Sequence, residues 1–270
     1  MNLSLKDLSQ SLKRQPNANK NNCGHVLIIG SDYFFGGAVI MAAEAAVRCG
    51  AGKVTILTRK ENFTAILSRL PNVMTADFDQ KDVFANKDVI VIGPGLGKSG
   101  WAKRLLAMVL ESNLPKIIDA DALNIISQFK EVPNLENCII TPHSGEAARL
   151  LGISSKEVDL DRKNSIKQLC QKFSTTAILK GSGTLVLGKT NKIHQCQFGN
   201  SGMAAAGMGD TLSGIIGAFV AQKLNLEEAA IFGVDIHSFA GDLVAKKQGE
   251  IGMIPSDLLE FLPQIINGKI

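Results

Sequence analysis

Aromatic residues and paired cysteines are both scarce in this sequence. Aromatic side chains make up 5% of the 270 residues, with one Trp and one Tyr. Because the basic residues are spread along the chain and not interleaved with aromatics, we do not expect a nucleic-acid partner. The net charge of +4 is compatible with an anionic ligand such as a nucleotide. The five cysteines are odd in number and never form a CxxC pair, which argues against a disulfide framework and a zinc site.

Long apolar runs are missing as well. No stretch approaches the roughly 18 apolar residues of a membrane helix, and the first 22 residues lack the apolar core of a secretion signal. We therefore expect a protein that is neither exported nor membrane-embedded, in a reducing, cytoplasmic setting. The length predicts a single compact domain over residues 1–270, in which residues 1–22 form a short N-terminal helix and a polar linker.

Short β-rich runs alternate with helical patterns through most of the chain. They are apolar throughout and not only at alternate positions, which is typical of parallel strands covered by helices on both faces. A hairpin around residues 189–191 is predicted next, followed only by helices. The sequence therefore predicts an α/β fold with a mostly parallel central sheet. The predicted parallel strands start at His25, Lys53, Asp88, Lys116, Cys138 and Ala177.

The turns after these strands are the expected site, since the carboxyl ends of parallel strands face one crevice. They read GSDYFFGGA, GPGLGKSG, DADALN, TPHSGE and KGSGT in chain order. KGSGT combines a cation, two glycines and two hydroxyls, which suits phosphate, although it also fits a polar entry to a hairpin.

The GPGLGKSG turn matches two nucleotide-binding patterns imperfectly. Gly95, Gly97 and Gly100 give G-x-G-x-x-G ahead of the acid Asp119, as in a dinucleotide fingerprint, but this short pattern is a weak signal. Read to Lys98, the same loop is one residue short of a P-loop, which we reject. Taken alone, a glycine-rich turn that packs a helix is as well supported as ligand contact. The family resemblance described below implies that these glycines contact a dinucleotide as substrate.

A second glycine turn, GMGD, precedes a helix that is apolar almost all round. Gly207 and Gly209 would let the backbone approach a ligand, and a helix starting at Asp210 would point free N–H groups at it. Asp210 could accept a proton from a hydroxyl, which outlines a phosphoryl-transfer site. The alternative is that Asp210 caps the helix, and both roles could coexist.

The ordered motifs together resemble a known family. They are similar to the motifs of the ADP/ATP-dependent NAD(P)H-hydrate dehydratases, a family in the ribokinase-like superfamily. The matching motifs are VIGPGLG, IIDADALN, ITPHSGEAARLLG, ILKGSGT, GNSGMAAAGMGDTLSGIIGAF and HSFAGDLVA. The resemblance covers nearly the whole chain from Cys23. It implies a three-layer sandwich and an enzyme that repairs (6S)-NAD(P)H-hydrate by transferring a phosphoryl group from ADP or ATP to the ring hydroxyl, after which phosphate leaves.

The resemblance also assigns roles to individual residues. Asp210 would be the catalytic base beside the hydrated ring, and Glu146 would organise Mg²⁺ through water, although a first-turn helix acid is the simpler explanation. Asp119 and Asp121 would line the site or cap a helix. The substrate contacts would be Ala38, Gly97, His143 and Asp210. The nucleotide contacts would be Lys180, Gly181, Ser182, Gly183, Thr184 and Gly209.

Without the resemblance, His143 would be read as a turn or capping residue between Pro142 and Gly145. The resemblance further implies a homotetramer, and a separate epimerase on which the enzyme relies for the other hydrate epimer. The sequence departs from the family in the bulky GSDYFFGGA turn, in Ser201 where proline is common, and in its entry segment PNANKNNCG. A small-molecule kinase for a thiazole or pyrimidine alcohol, and a nucleotide-binding protein without catalysis, are the alternatives.

Overall fold

A computed structural model describes residues 10–80 and 82–270 of the chain. Within these residues nine strands form one sheet. They are β1 His25–Ile29, β2 Lys53–Leu57, β3 Met74–Ala76, β4 Val89–Ile92, β5 Lys116–Ile118, β6 Cys138–Ile140, β7 Thr176–Leu179, β8 Leu185–Leu187 and β9 His194–Gln195. Their order across the sheet is β3-β2-β1-β4-β5-β6-β7-β8-β9.

The sheet is parallel from β3 across to β7, and β8 and β9 add to it in antiparallel fashion. All six predicted parallel strands are confirmed, and so is the hairpin. The strand β3 was not predicted from the sequence. It is a three-residue edge strand whose first side chain, Met74, is exposed, so it carries no continuous apolar signal.

The helices cover both faces of the sheet. Short 3₁₀ segments at Lys60–Asn62 and Ser201–Met203 complete the regular structure of the described residues. The helices are α1 Gly37–Arg48, α2 Phe63–Arg69, α3 Gly100–Glu111, α4 Ala120–Ile126, α5 Ser144–Leu151, α6 Ser155–Leu160, α7 Arg162–Phe173, α8 Met208–Ala221, α9 Leu226–Gln248, α10 Pro255–Leu258 and α11 Leu262–Ile266.

Two apolar cores lie on opposite sides of the sheet, which confirms the three-layer sandwich. On β1, Val26 and Ile28 face the core formed with α1, α8 and α9, whereas Leu27 and Ile29 face the core formed with α3, α4, α5 and α7. All four side chains are fully buried. This two-sided burial explains why the strands are apolar at every position and not at every second one.

The helix α8 lies at the centre of the first core. Its residue Gly217 faces β1 and β4, its Ile216 packs against Gly233 of α9, and Gly214 touches the backbone of α1 at Ala42. A β-carbon on Gly214 would lie 2.0 Å from the carbonyl oxygen of Ala42. The helix therefore has neighbours on every side, which accounts for its uniformly apolar sequence.

The N-terminal segment was predicted to be a short helix and a polar linker. Residues 15–22 are exposed and form turns without helix or strand, as expected of a linker. The predicted helix falls mainly on residues 1–9, which lie outside the described residues. In the part of the chain that the structure describes, no helix is both long and apolar enough to cross a membrane.

The close approach of α8 and α1 predicts a stability effect. Gly214→Ala should lower the free energy of unfolding by about 1–3 kcal/mol, because the new methyl group would overlap a backbone carbonyl. Helix propensity alone would make the alanine variant about 1 kcal/mol more stable. A loss of stability would therefore show that the overlap with α1 outweighs helix propensity. Urea unfolding measures the change. Gly100→Ala is the control, since no atom lies within 4 Å of its added β-carbon. Equal stability of the two variants would contradict the packing.

Candidate active site

The predicted site turns meet at the carboxyl edge of the sheet, as the topology requires. The turns after β5, β6 and β7 bring Asp119, His143 and Lys180 next to the first turn of α8. The turns after β1 and β4 lie next to them along the same edge, because β4 neighbours β5 in the sheet. One continuous crevice edge therefore connects all the predicted turns.

An ion pair between Lys180 and Asp119 lies at the centre of this edge. The Lys180 ammonium donates to Oδ1 of Asp119 at 2.7 Å and is 3.9 Å from Oε2 of Glu146. Asp119 is 1% exposed, and its other oxygen accepts a hydrogen bond of 2.8 Å from the Ser213 hydroxyl on α8. Asp119 also caps α4 through the Ala120 amide, as its capping alternative predicted. Its buried pairing with Lys180 was not predicted.

Asp210 lies beside this pair, but not where the sequence placed it in its helix. We expected the helix to begin at Asp210, and this is wrong, because α8 begins at Met208 and is capped by Gly207. Gly207 has a φ of 90°, a left-handed conformation that glycine adopts without strain. Asp210 is thus the third helical residue and does not cap the helix. Its side chain is free for another role.

The surroundings of Asp210 raise its proton affinity. Burial, followed by the negative charge of Asp119, raises the pKa of Asp210 to about 7, while Lys180 opposes the rise. Asp121 and Glu146 raise the pKa further. A carboxylic acid with a pKa near neutrality can both accept and return a proton at physiological pH, which is the requirement for a general base.

The neighbouring charges have fixed states. Burial would lower the pKa of Lys180, but Asp119 and Glu146 outweigh it and raise the pKa above its ordinary value. Burial would likewise raise the pKa of Asp119, yet Lys180 outweighs it and lowers the pKa. These two groups are therefore charged at neutral pH. Asp210, by contrast, has a pKa near neutral pH.

His143 and Glu146 cap α5 together. Nδ1 of His143 accepts the Gly145 amide at 3.0 Å, and Oε2 of Glu146 accepts the His143 amide at 2.9 Å. The simpler alternatives for both residues are therefore correct as local structure. Burial, then Lys180, lowers the pKa of His143. Burial raises the pKa of Glu146, although Lys180 opposes it. Their proposed ligand contacts would be additional to capping.

The KGSGT turn forms one wall of a cleft of about 760 Å³. Within the turn, the Thr184 hydroxyl donates to the Gly181 carbonyl at 2.8 Å, which holds the loop in a tight bend. All six predicted nucleotide contacts line the cleft, together with His143. The sequence did not predict the opposite wall, which consists of Phe198, Gly199, Asn200, Ser201, Met203, Ala204, Ala205, Met208, Leu212, Val234, His237 and Ser238.

The predicted substrate contacts Ala38 and Gly97 lie on the part of the sheet edge away from the cleft, in the turns after β1 and β4. The Gly97 amide donates to Oδ2 of Asp121 at 2.9 Å, which joins the GPGLGKSG turn to the charged cluster. A β-carbon on Gly95 would lie 3.1 Å from that of Ala38, so the turns after β1 and β4 touch. The structure thus separates the turns of Ala38 and Gly97 from the cleft, which the predicted substrate contact His143 does line, and links them to the charged cluster through Asp121.

The bulky GSDYFFGGA turn has an unusual backbone. Ser31 and Phe34 have φ values of 55° and 75°, in the left-handed region that side chains disfavour, and Phe34 is fully exposed. Strained, exposed residues of this kind often mark binding sites. A second departure, Ser201, begins a short 3₁₀ segment that Asn200 caps by accepting the Gly202 amide at 3.1 Å.

No group of three or more His, Cys, Asp or Glu side chains is arranged to hold a metal ion in residues 10–80 and 82–270. A magnesium ion at this site would therefore need ligands from elsewhere, such as nucleotide phosphates and water. Glu146, buried at the end of β6 and facing Lys180, remains the predicted contact from the protein.

The fold and the site define the class of protein to which the chain belongs. A ribokinase-like superfamily protein from Enterococcus faecalis V583 superimposes with a TM-score of 0.87 at 32% identity, covering 98% of this chain and 95% of that one. Residues 26–264 match the family model of the NAD(P)H-hydrate dehydratases. The chain therefore belongs to the NAD(P)H-hydrate dehydratase family within that superfamily.

Two relatives of this chain have names that state the reaction they catalyse. A bifunctional NAD(P)H-hydrate repair enzyme from Coxiella burnetii is 49% identical over 259 residues, which cover 94% of this chain and 53% of the relative. An ADP-dependent (S)-NAD(P)H-hydrate dehydratase from Lactiplantibacillus plantarum is 38% identical over 244 residues, covering 87% and 86%. The chain thus spans about half the length of the Coxiella relative and most of the other.

The raised pKa of Asp210 predicts a stability gain on its removal. The carboxyl group has an ordinary pKa near 4 when unfolded and about 7 when folded, so its ionisation opposes folding. This cost is absent below pH 4 and complete above pH 7. Asp210→Asn should therefore be more stable than the wild type by roughly 2–4 kcal/mol at pH 8, with the gain vanishing near pH 4.

Urea unfolding at both pH values measures this difference. The control is Glu260→Gln, which removes an exposed carboxylate paired with Lys247 and should change stability by under about 0.5 kcal/mol. A loss of stability in Asp210→Asn at both pH values would show that the side chain supports the fold instead.

Proposed function

We propose that the protein dehydrates (6S)-NAD(P)H-hydrate to NAD(P)H, using ADP or ATP as phosphoryl donor and releasing phosphate. The observation that carries this proposal is Asp210, a half-buried carboxyl group with a pKa of about 7 beside Lys180 and the N-terminus of α8. Family membership and the names of the two relatives support the substrate. The name of the Lactiplantibacillus enzyme favours ADP as donor.

The donor nucleotide would occupy the cleft, with its phosphates towards Gly209. A β-carbon on Gly209 would lie 3.3 Å from the Lys180 ammonium, so the helix N-terminus and a buried cation are adjacent. Both attract phosphate, the first through free N–H groups and the second through its charge. The glycines and hydroxyls of the KGSGT turn would supply further donors from the same wall.

The hydrated dinucleotide would lie along Ala38, Gly97 and His143, with its ring hydroxyl at Asp210. Asp210 takes the hydroxyl proton as the oxygen attacks the terminal phosphorus, whose bond to the leaving nucleotide breaks. The C–O bond then breaks and phosphate departs, driven by the lone pair of the ring nitrogen. Loss of a proton from the adjacent ring carbon restores the double bond. Hydroxide alone would be a far poorer leaving group.

The two sides of Asp210 thus have separate tasks. The cleft holds the donor, and the turns after β1 and β4 hold the acceptor, which also reaches His143 on the cleft wall. The charged cluster between them contributes positioning and charge stabilisation, which supply most of the rate in phosphoryl transfer. Lys180 is placed to stabilise negative charge on the transferring group, while Asp119 fixes its ammonium.

Magnesium would accompany the nucleotide. The acids near Lys180 outnumber this one cation, and Glu146 is a buried carboxylate facing the phosphate end of the cleft. These residues fit an ion held chiefly by phosphates and water, with Glu146 as a contact through water. When bound, the ion would neutralise charge on the phosphates.

Other features of the proposal concern the cellular setting. A homotetramer and functional coupling to a separate NAD(P)H-hydrate epimerase stay predictions of the family resemblance. A cytoplasmic location and a single domain over residues 1–270 stay predictions from composition and length. The repair reaction needs none of these for the chemistry at Asp210, so each is tested separately.

The test is recovery of nicotinamide absorbance from the purified hydrate. Recovery should require ADP or ATP with magnesium and release one phosphate for each nicotinamide restored. Asp210→Asn should reduce turnover by about 10²-fold or more, as expected for loss of a positioned base, with nucleotide affinity nearly unchanged in calorimetry. Glu260→Gln is the matched surface control and should keep full turnover.

Three outcomes would contradict the proposal. Recovery without a phosphoryl donor would remove the need for the cleft. A stable phosphorylated product without absorbance recovery would favour a ribokinase-like kinase for a small alcohol. Nucleotide binding with no turnover of any hydrate would favour a non-catalytic nucleotide-binding protein.

A further inference from the structure

An arginine is held rigidly at the far end of the substrate edge. Arg59 follows β2, and its guanidinium carbon lies 4.7 Å from the ring centre of Tyr33 and 4.4 Å from that of Trp101. Its Nε donates to Oδ1 of Asp32 at 2.8 Å. Stacking contacts and a charged hydrogen bond together fix the orientation of the guanidinium plane.

The acid that holds Arg59 is itself fixed. Oδ2 of Asp32 accepts a hydrogen bond of 2.5 Å from the Ser99 hydroxyl, and its other oxygen accepts the Tyr33 amide at 3.0 Å. Burial would raise the pKa of Asp32, but the hydrogen bonds from Arg59 and Ser99 outweigh it and lower the pKa. Asp32 is therefore ionised at neutral pH, and the pair is permanent.

Four of the five N–H donors of the Arg59 guanidinium are unused in the described part of the chain. Among the described residues, no hydrogen-bond acceptor meets Nη1 or Nη2 of Arg59, and the side chain is 23% exposed. These two nitrogens carry four N–H groups in a planar fork, which matches two oxygens of a phosphate. A fixed fork loses little entropy on binding, so the arrangement suits recognition of a phosphate.

The position of Arg59 connects it to the reaction centre. A β-carbon on Gly97 would lie 3.3 Å from that of Asp32, and the Gly97 amide meets Asp121, which acts on the pKa of Asp210. In the sheet, β2 is three strands from β5, which corresponds to about 14 Å along the carboxyl edge. A dinucleotide with its ring at Asp210 would extend along this edge towards Arg59, since the donor cleft occupies the opposite side of Asp210.

We propose that the two free nitrogens of Arg59, Nη1 and Nη2, bind a phosphate group of the hydrated dinucleotide. The proposal rests on the proposed function, and it adds a specificity determinant to the substrate side. The phosphate is either the 2′-phosphate, present only in NADPH-hydrate, or the pyrophosphate that both hydrates share. The experiment distinguishes the two.

The test is Arg59→Met, which keeps an apolar chain between the two rings and removes the fork. Steady-state kinetics with NADPH-hydrate and with NADH-hydrate should show KM raised about 10-fold or more for the hydrate whose phosphate is bound, with kcat changed much less. Arg59→Lys should recover only part of this loss. Arg69→Met removes an exposed arginine paired with Glu44, with the same change in charge, and should behave as the wild type.

A loss confined to NADPH-hydrate would assign the 2′-phosphate, and an equal loss with both hydrates would assign the pyrophosphate. Unchanged KM values for both hydrates in an active enzyme would overturn the proposal. A fall in thermal stability with equally weakened ADP binding would also overturn it, because Arg59 would then be structural. Failure of the proposed function is distinct, since the wild type itself would then restore no absorbance.

Discussion

The buried ion pair of Lys180 and Asp119 is the interaction on which the site depends. Neither charge could be buried alone without a cost of several kcal/mol, so each requires the other. The pair joins the ends of β5 and β7, and its bond to Ser213 attaches both to α8. Because these elements are the walls of the crevice, satisfying the two charges also assembles the site.

The pair also determines the chemistry available to Asp210. One cation is shared among Asp119, Glu146 and Asp210, and its closest contact is with Asp119. The remaining negative charge and the burial of Asp210 together raise its pKa to about 7. A carboxylate that destabilises the folded state is useful as a base, which is the usual conflict between stability and activity at an active site.

The sequence predicted the strands and turns well, because both are local features. Continuous apolar runs identified six parallel strands, and glycine-rich turns after them predicted the candidate site. The edge strand β3 was missed because it is short and partly exposed. The start of α8 was placed two residues late because Asp is a common cap, whereas Gly207 caps this helix in a left-handed conformation.

Long-range pairing explains the larger omissions. Asp119 and Lys180 are 61 residues apart. The pair of Asp32 and Arg59 is held by two rings and one hydroxyl, from Tyr33, Trp101 and Ser99. No local pattern reveals such contacts. The cleft wall opposite KGSGT is likewise built from α8, α9 and the segment that follows β9. The proposed reaction comes from the family resemblance, while the folded chain offers an electrostatic reason for it.

The most direct test of this account is a carbon-13 NMR titration of the Asp210 carboxyl group, assigned by comparison with Asp210→Asn. The account predicts a midpoint near pH 7 in the wild type. In Asp119→Asn the midpoint should move towards the ordinary value of about 4, because a repelling charge is lost and Lys180 is freed to act on Asp210. A wild-type midpoint near 4, or one that Asp119→Asn leaves unchanged, would contradict it.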